Sequence, residues 1–189
     1  MNDVIETERL WLLPITPEQM TAYSLSRSDL ARLIGATVPE NWPVCPEGME
    51  YWRAKSNVLR ESKGWAGYVY IHKKDNTVIG DGGFKGPPDA KGEVEMGYAI
   101  LPEYRGKGLG TEAAKALVDW AFYHPEVESI VAETLPEAKG SMRVLEKLRM
   151  AYQGIRVDPG EGRVFLWRLR RKDFVTPCTP PENDNCPNG

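Results

Sequence analysis

The amino-acid sequence predicts an α/β protein with a single domain, and three observations support this. Segments of strand and helix character follow in the order strand, helices, three strands, helix, strand, helix and two strands. The 189 residues, 41% of them hydrophobic, suffice to bury one core and are marginal for two. Residues 176–189 are rich in proline and asparagine and are expected to form a flexible tail, while residues 1–175 form one domain.

The N-terminal half is predicted to hold a strand, several helices and a hairpin. Thr16 is suited to cap the first helix, and Pro17 to its first turn. The turn-forming pair Asp75 and Asn76 separates two strand-like runs, which favours a hairpin. In chain order the segments are a strand at 8–15, helices from 17 to about 34, a loop at 35–48, a helix at 49–63 and strands at 65–72 and 77–82.

The C-terminal half is predicted to alternate strands with two helices and to close in a second hairpin. In the first of these helices, small and apolar residues recur on one face and charged residues on the other. The segments are a loop at 83–92, a strand at 93–101, a helix at 111–123, a strand at 128–134, a helix at 141–148 and strands at 152–157 and 164–170. Gly97 lies within a strand, where glycine often marks a β-bulge.

The most specific motif is the glycine-rich turn Arg105-Gly106-Lys107-Gly108-Leu109-Gly110. It joins a predicted strand to a predicted helix. Its backbone N–H groups therefore lie at a helix N-terminus, where the helix dipole favours an anion and the missing side chains let a phosphate approach. Its glycine spacing is neither that of a Walker loop nor that of a Rossmann fingerprint. The turn predicts a site for a phosphorylated ligand, held by its pyrophosphate.

The pattern Arg-x-x-Gly-x-Gly, preceded by Glu-Met-Gly-Tyr-Ala-Ile-Leu-Pro-Glu-Tyr, resembles the acetyl-CoA-binding motif of the GCN5-related N-acetyltransferases (GNAT). The resemblance spans residues 4–172 and is closest to the RimJ/RimL-like ribosomal-protein branch, whose opening is similar to Thr7-Glu8-Arg9-Leu10. It implies the GNAT fold, a mixed and mostly antiparallel sheet splayed between its fourth and fifth strands with helices on both faces. It also implies direct transfer of an acetyl group from the cosubstrate acetyl-CoA to a primary amine, either a protein N-terminal α-amine or a small-molecule amine.

The resemblance also implies which residues contact acetyl-CoA. In this family the pantetheine lies between the two splayed strands, and the glycine turn holds the pyrophosphate. Lys107 either adds positive charge there or is merely solvated. The implied cofactor-binding residues are Ala99, Ile100, Leu101, Arg105, Gly106, Lys107, Gly108, Leu109, Gly110, Thr111, Thr134, Ala138 and Ser141.

Glu95 and Ser141 are the candidate catalytic residues. Glu95 lies on the strand that meets the thioester and is suited to take the amine proton through water. Glu93 shares its strand face, and the alternative for both glutamates is a plain solvent-facing strand surface. Glu133 on the next strand is a third carboxylate expected to face the same cleft. Ser141 matches the family serine that can protonate the departing thiolate, and its alternative role is a helix cap or a plain first-turn position. Leu145 stands where other relatives have a tyrosine acid.

Three positions depart from the family pattern. Ala138 replaces the usual asparagine, which removes one polar cofactor contact, and Arg149-Met150 replaces the usual Gly-Phe. Glycine ends a helix in the left-handed conformation at little cost, whereas arginine is strained there, so this helix end is expected to differ. These departures keep open an alternative, a CoA- or acetyl-CoA-binding module with weak or no turnover that acts as a sensor or partner-binding domain.

Charge and composition limit the other partners. A net charge of −3 without a basic block argues against nucleic acid, and no apolar run resembles a membrane span or a signal peptide. We therefore expect a cytoplasmic protein, and both a monomer and a homodimer stay open. His72 and His124 are isolated, and Cys45, Cys178 and Cys186 fit neither a disulfide framework nor a zinc site, so no metal is expected.

Aromatic residues are concentrated in the N-terminal half, which forms the acceptor side in this family. Such residues on hairpins and amphipathic helices are more often core, and lining of an acceptor pocket is the alternative. They are Trp42, Tyr51, Trp52, Trp65, Tyr68 and Tyr70.

Overall fold

An eight-stranded sheet runs through the part of the chain that the computed structural model describes, residues 4–55 and 64–174. Its strands are β1 (Ile5–Glu6), β2 (Leu10–Pro14), β3 (Gly67–His72), β4 (Thr77–Phe84), β5 (Glu93–Ile100), β6 (Ser129–Thr134), β7 (Ala151–Asp158) and β8 (Gly162–Arg170). Their order is β1-β2-β3-β4-β5-β6-β8-β7, and each neighbouring pair is antiparallel except β5 and β6. The predicted mixed, mostly antiparallel sheet is confirmed.

Five α-helices accompany the sheet within the same described residues. They are α1 (Pro17–Leu25), α2 (Arg27–Ile34), α3 (Pro46–Ala54), α4 (Leu109–Tyr123) and α5 (Lys139–Lys147). Thr16 caps α1 as predicted, because its side chain accepts from the Gln19 N–H at 3.2 Å and the Gln19 side chain accepts from the Thr16 N–H at 2.9 Å. The later part of the predicted helix 49–63, the tail 176–189 and the cysteines at 178 and 186 lie outside the described residues.

Helices cover both faces of the sheet. Alternate residues of β3 point to opposite sides, so that Tyr68 and Tyr70 join the hydrophobic cluster of α4 and α5, while Val69 and Ile71 join that of α1, α2 and α3. The core interpretation of the aromatic residues is confirmed for five of the six, because Trp42, Trp52, Trp65, Tyr68 and Tyr70 are all buried.

The two parallel strands separate partway along their length. β5 and β6 pair over four residues, ending at Met96 opposite Ala132, and then continue to Ile100 and Thr134 without pairing with each other. The predicted splay is confirmed. The short β1 at the N-terminus makes these strands the fifth and sixth rather than the fourth and fifth.

Gly97 is the first residue of β5 beyond this pairing, and the bulge predicted there is absent. The register with β4 runs without a shift through Gly83 opposite Gly97. β5 needs no extra residue to leave β6, because the parallel pairing ends at Met96. The glycine instead leaves the surface open, since a β-carbon placed on Gly97 meets no atom within 4 Å.

The end of α5 keeps the left-handed conformation although glycine is missing. Arg149 has φ 61°, its N–H donates to the Glu146 carbonyl, and the Met150 N–H donates to the Leu145 carbonyl. These two bonds form a Schellman motif, which satisfies carbonyls that would otherwise be unpaired. The expectation that this helix end differs was therefore wrong, because the hydrogen bonds and the burial of Met150 hold Arg149 in place.

Replacing Arg149 with glycine is expected to raise the free energy of unfolding by about 0.5–1 kcal/mol, because glycine adopts this φ without the clash of a β-carbon. The melting temperature should rise by about 2 °C in thermal unfolding. Arg143→Gly is a matched control on the exposed side of the same helix and should lower stability by about 1 kcal/mol. A lower melting temperature for Arg149→Gly would show that the arginine side chain, not its backbone, determines stability here.

Candidate active site

The glycine turn wraps the N-terminus of α4. Gly106 and Gly108 have φ values of 73° and 81°, which favour glycine, and Gly108 is the N-cap. The Gly108 carbonyl accepts the first helical bond, from the Glu112 N–H at 3.0 Å. The N–H groups of Leu109, Gly110 and Thr111 precede it, where a helix offers no internal acceptor, and so can hold a pyrophosphate.

Residues Thr7 and Arg9, which were not among the predicted site residues, hold this turn through hydrogen bonds. Glu112 in the first turn of α4 accepts hydrogen bonds from the Thr7 hydroxyl at 2.6 Å, the Arg9 N–H at 2.8 Å and the Arg9 Nε at 2.7 Å. Arg9 Nη1 also donates to the Lys107 carbonyl at 2.9 Å. Burial raises the pKa of Glu112, but the bonds from Thr7 and Arg9 outweigh it, and the pKa is lowered. The carboxylate is thus neutralised beside the predicted anion site.

Replacing Arg9 with methionine is expected to weaken CoA binding about tenfold, because the turn loses a donor and Glu112 keeps an uncompensated charge near the pyrophosphate. Calorimetric titration with CoA measures the change. The double variant Arg9→Met/Glu112→Gln should recover most of the loss. An equal loss of CoA affinity in the single and double variants would contradict the role of the Glu112 charge. The loss would then come from the missing Arg9 contacts alone.

The remaining predicted cofactor residues lie along the parted strands and in the turns after them. The Ile100 carbonyl accepts from Arg105 Nε at 2.8 Å, and the Leu101 N–H donates to the Ile79 carbonyl at 2.8 Å. Lys107 Nζ lies 5.1 Å from the ring centroid of Tyr104. These contacts fix the path of the chain from the end of β5 into the glycine turn.

Two predicted cofactor residues near α5, Thr134 and Ala138, are less exposed than residues 105–108 of the glycine turn. The Thr134 hydroxyl accepts from Trp167 Nε1 at 3.0 Å, and Thr134 is buried. Ala138 is the N-cap of α5 and makes no side-chain capping bond, as its methyl group dictates. Ala99 lies on β5 opposite Asp81 of β4.

Ser141 is in the first turn of α5, which begins at Lys139 rather than at the serine. Its carbonyl accepts from the Tyr98 hydroxyl at 3.0 Å, which ties β5 to α5 across the gap between the parted strands. Burial raises the pKa of Tyr98, so its hydroxyl stays protonated and remains a donor. Tyr98 was not selected from the sequence, although it belongs to the Gly-Tyr pair that precedes the glycine turn.

Glu95 lies on the other face of the sheet, the one covered by α1, α2 and α3. Its carboxylate forms an ion pair with Lys85, and its carbonyl accepts the Lys85 N–H at 2.9 Å. Burial lowers the pKa of Lys85, but the hydrogen bond and charge of Glu95 and the charge of Glu133 outweigh it, so the pKa is raised. The side chain of Glu95 is 30% exposed and thus reachable from solvent.

The other two candidate carboxylates are held by arginines. Glu93 forms an ion pair with Arg168 and accepts from the Ser129 hydroxyl at 3.1 Å. Glu133 accepts from Arg156 Nη2 through both oxygens, at 2.6 and 2.7 Å. Glu95 is ion-paired as well, with Lys85, and differs from Glu93 in lying only two residues from the open backbone at Gly97 on the same face of β5.

Asp81 is a further acidic group on this face that sequence reasoning missed. It is 3% exposed, and its Oδ2 has no hydrogen-bond partner among the described residues. Burial raises its pKa to about 7, and nearby Trp42 offsets only part of that shift. The Trp42 Nε1 likewise lacks a partner in this part of the chain.

Two properties of the described residues bear on partners. In the segments 4–55 and 64–174, no helix has the length and apolar character to cross a bilayer. The same segments bring together no group of three or more His, Cys, Asp or Glu side chains able to hold a metal ion.

Similarity to known proteins identifies the family of this chain. The family model described as Acetyltransferase (GNAT) domain matches residues 9–151. A curated protein of Bacillus subtilis (strain 168), named Uncharacterized N-acetyltransferase YjdG, is 31% identical over 147 residues, which cover 77% of this chain and 88% of the relative.

Solved structures agree in fold. The ribosomal-protein-S5-alanine acetyltransferase from Vibrio fischeri superposes with a TM-score of 0.65 at 18% identity, covering 91% of this chain and 98% of that one. Mycobacterium smegmatis RimJ in complex with CoA-disulfide gives a TM-score of 0.60 at 19% identity, covering 87% and 83%. Since the region matched by the family model contains the glycine turn, both parted strands and α5, this chain belongs to the GNAT acetyltransferase family and is an acetyl-CoA-dependent acyltransferase.

Proposed function

We propose that this acetyltransferase moves the acetyl group directly from acetyl-CoA to a primary amine at the point where β5 and β6 separate. The observation that carries the proposal is the position of Gly97. It is the first residue beyond the strand pairing, it is open to solvent, and it lies between Glu95 on one face and the Tyr98–Ser141 link on the other. The glycine turn at α4 supports a pyrophosphate site at the end of the same strand.

The proposed transfer uses Glu95, Ser141, a backbone N–H group and one water molecule. The amine nitrogen forms a bond to the acetyl carbon, the carbon–sulfur bond breaks, and the electron pair leaves with sulfur. Glu95 takes the proton that the amine loses, through a water molecule, and Ser141 donates a hydrogen bond to the thiolate or passes it a proton that the serine regains from solvent, while Glu95 returns its own proton to solvent. A backbone N–H near the end of β5 stabilises the developing oxyanion. The products are the acetylated amine and CoA thiol.

We propose an α-amine of a protein N-terminus, or a small-molecule amine, as the acceptor. An α-amine with a pKa of about 7.7–8.0 is partly neutral at physiological pH, whereas a lysine side chain at about 10.4 is mostly charged. An α-amine therefore demands less of Glu95. The ribosomal-protein acetyltransferase from Vibrio fischeri, a fold neighbour, is named for a protein acceptor.

Thiol release from acetyl-CoA in the presence of an amine panel tests this function. The panel contains short peptides with free N-termini and small primary amines, and calorimetric titration with CoA runs beside it. Turnover with at least one class is expected. Tight CoA binding without thiol release from any amine would instead favour the non-catalytic binding module, for which the missing cap at Ala138 is the remaining structural argument.

A further inference from the structure

Lys85 is the first residue after β4, and it lies directly opposite Glu95 of β5. The listed pairing of the two strands ends with Phe84 opposite Met96, and the Lys85 N–H continues it by donating to the Glu95 carbonyl at 2.9 Å. Side chains directly opposite each other on antiparallel strands point to the same face of the sheet and have β-carbons about 4.5–5.5 Å apart. The ion pair between Lys85 and Glu95 therefore follows from the backbone register.

Two consecutive aromatic residues of α3 hold the backbone beside this ion pair. Trp52 Nε1 donates to the Phe84 carbonyl at 3.0 Å, and the Tyr51 hydroxyl donates to the Lys85 carbonyl at 2.7 Å. The Tyr51 hydroxyl also accepts from Lys55 Nζ at 2.8 Å, so its own proton is free for the Lys85 carbonyl. The base of the Lys85 side chain is thus fixed by a helix, although 48% of the side chain is exposed.

A second cation lies near Glu95, on the other side of the gap between β5 and β6. It is Arg156 of β7, whose Nη2 donates to both oxygens of Glu133. The hydrogen bonds and charge of Glu133 are the main causes of the raised pKa of Arg156, and the charge of Glu95 adds a smaller contribution. The Glu95 carboxylate therefore has one cation on the β4 side and another across the gap, and the lysine is the one that it contacts.

We propose that Lys85 is a positioning residue, which holds the Glu95 carboxylate on the β4 side of the gap and leaves room there for the amine and the water that carries its proton. Lys85 itself does not contact the amine or the acetyl group. The hydrogen bond and charge of Glu95 contribute to the raised pKa of Lys85, so the ammonium stays protonated and the ion pair persists at neutral pH. The inference rests on the proposed role of Glu95 as the base.

Replacing Lys85 with methionine in the full chain tests this role, because methionine keeps a long side chain and loses the charge. The probe is the amine of the panel that releases thiol fastest from acetyl-CoA. We expect kcat to fall about tenfold, less than on removal of the base, because the base is present but no longer fixed. The KM for the amine and the affinity for CoA should change by less than about twofold, and Lys85→Arg should keep kcat within about threefold of the wild type.

The same substitution in a Glu95→Gln background separates action through Glu95 from a general structural effect. Glutamine has no charge for the lysine to hold, so Lys85→Met should change kcat there by no more than about twofold. Lys115→Met is the matched control, because Lys115 of α4 is a similarly exposed lysine paired with a carboxylate, that of Asp119, and should leave kcat unchanged.

Three outcomes would overturn the inference while the proposed transfer stands. They are an unchanged kcat in Lys85→Met, the same tenfold loss in both backgrounds, and a loss in Lys85→Arg as large as in Lys85→Met. Lys85→Gln takes the place of the methionine variant if thermal unfolding shows that the latter does not fold. Wild-type turnover in Glu95→Gln would remove the base and the inference with it, and absence of thiol release from every amine of the panel would overturn the proposed function itself.

Discussion

Replacing Glu95 with glutamine is expected to lower kcat/KM for a peptide α-amine about 100-fold while the affinity for CoA stays unchanged. Glutamine keeps the size of the side chain but cannot take the amine proton, and general base catalysis contributes about 10²–10⁴ in rate. The substitution leaves the glycine turn and α5 untouched, so the loss should appear in turnover and not in cofactor binding. Thiol release at saturating acetyl-CoA, with a parallel CoA titration, measures both quantities.

Glu93→Gln is the matched control for this substitution. Glu93 lies on the same strand and face, but its carboxylate is held by Arg168 and Ser129, so its loss should change kcat/KM by no more than about twofold. Ser141→Ala examines the other face of the sheet, where we propose that the thiolate departs. Wild-type turnover in both Glu95→Gln and Ser141→Ala would remove the two catalytic roles assigned to these residues.

Replacing Asp81 with asparagine is expected to make the protein more stable at pH 8 and to reverse the order of stability in acid. Burial raises the pKa of Asp81 from 3.8 to about 7, so between these values the folded protein keeps a proton that the unfolded chain has released. The free energy of unfolding therefore falls as pH rises through this window, by about 4 kcal/mol in total. Asparagine does not ionise and escapes this loss.

Urea unfolding at pH 5 and pH 8 measures the effect. The stability of Asp81→Asn relative to the wild type should increase by about 2–3 kcal/mol between these two values. Asp89→Asn is the control, because hydrogen bonds from the backbone of Glu93 and Lys91 lower the pKa of Asp89, so its stability effect changes only below pH 5 and its difference from the wild type should stay constant between pH 5 and pH 8. A constant difference between wild type and Asp81→Asn from pH 5 to pH 8 would show that Asp81 does not stay protonated in the folded protein.

The sequence predicted the elements whose signals are local. The cap at Thr16, the turn at Asp75 and Asn76, and the glycine turn all follow from a few adjacent residues, and each occurs in the structure. The two later helices were predicted to begin two residues too late. Gly110 and Gly140 are poor helix formers in isolation, but the turn at Gly110 packs beside Ile100 of β5, and the Tyr98 hydroxyl bonds the Ser141 carbonyl in the first turn of α5.

The features that the sequence did not predict depend on distant contacts. Glu112 looked like a residue of the solvated face of α4, because its partners Thr7 and Arg9 lie more than 100 positions earlier in the chain. Asp81 gave no signal, since an acid within a strand carries no mark of burial until helices cover it. The opening Thr7-Glu8-Arg9 resembles that of the RimJ/RimL-like branch. The structure shows its physical role, which is to bond Glu112 beside the glycine turn.

The contact between Arg9 and the Lys107 carbonyl is expected to couple the N-terminal segment to CoA binding at the proposed pyrophosphate site. Thermodynamic coupling is reciprocal. If the packed N-terminal segment makes the free energy of CoA binding more favourable by some amount, bound CoA stabilises residues 7–9 against local unfolding by the same amount. Amide hydrogen exchange in β1 and β2 is therefore expected to slow when CoA is bound. A tag or truncation that disturbs the first strand would act as a negative effector of CoA binding without touching the glycine turn.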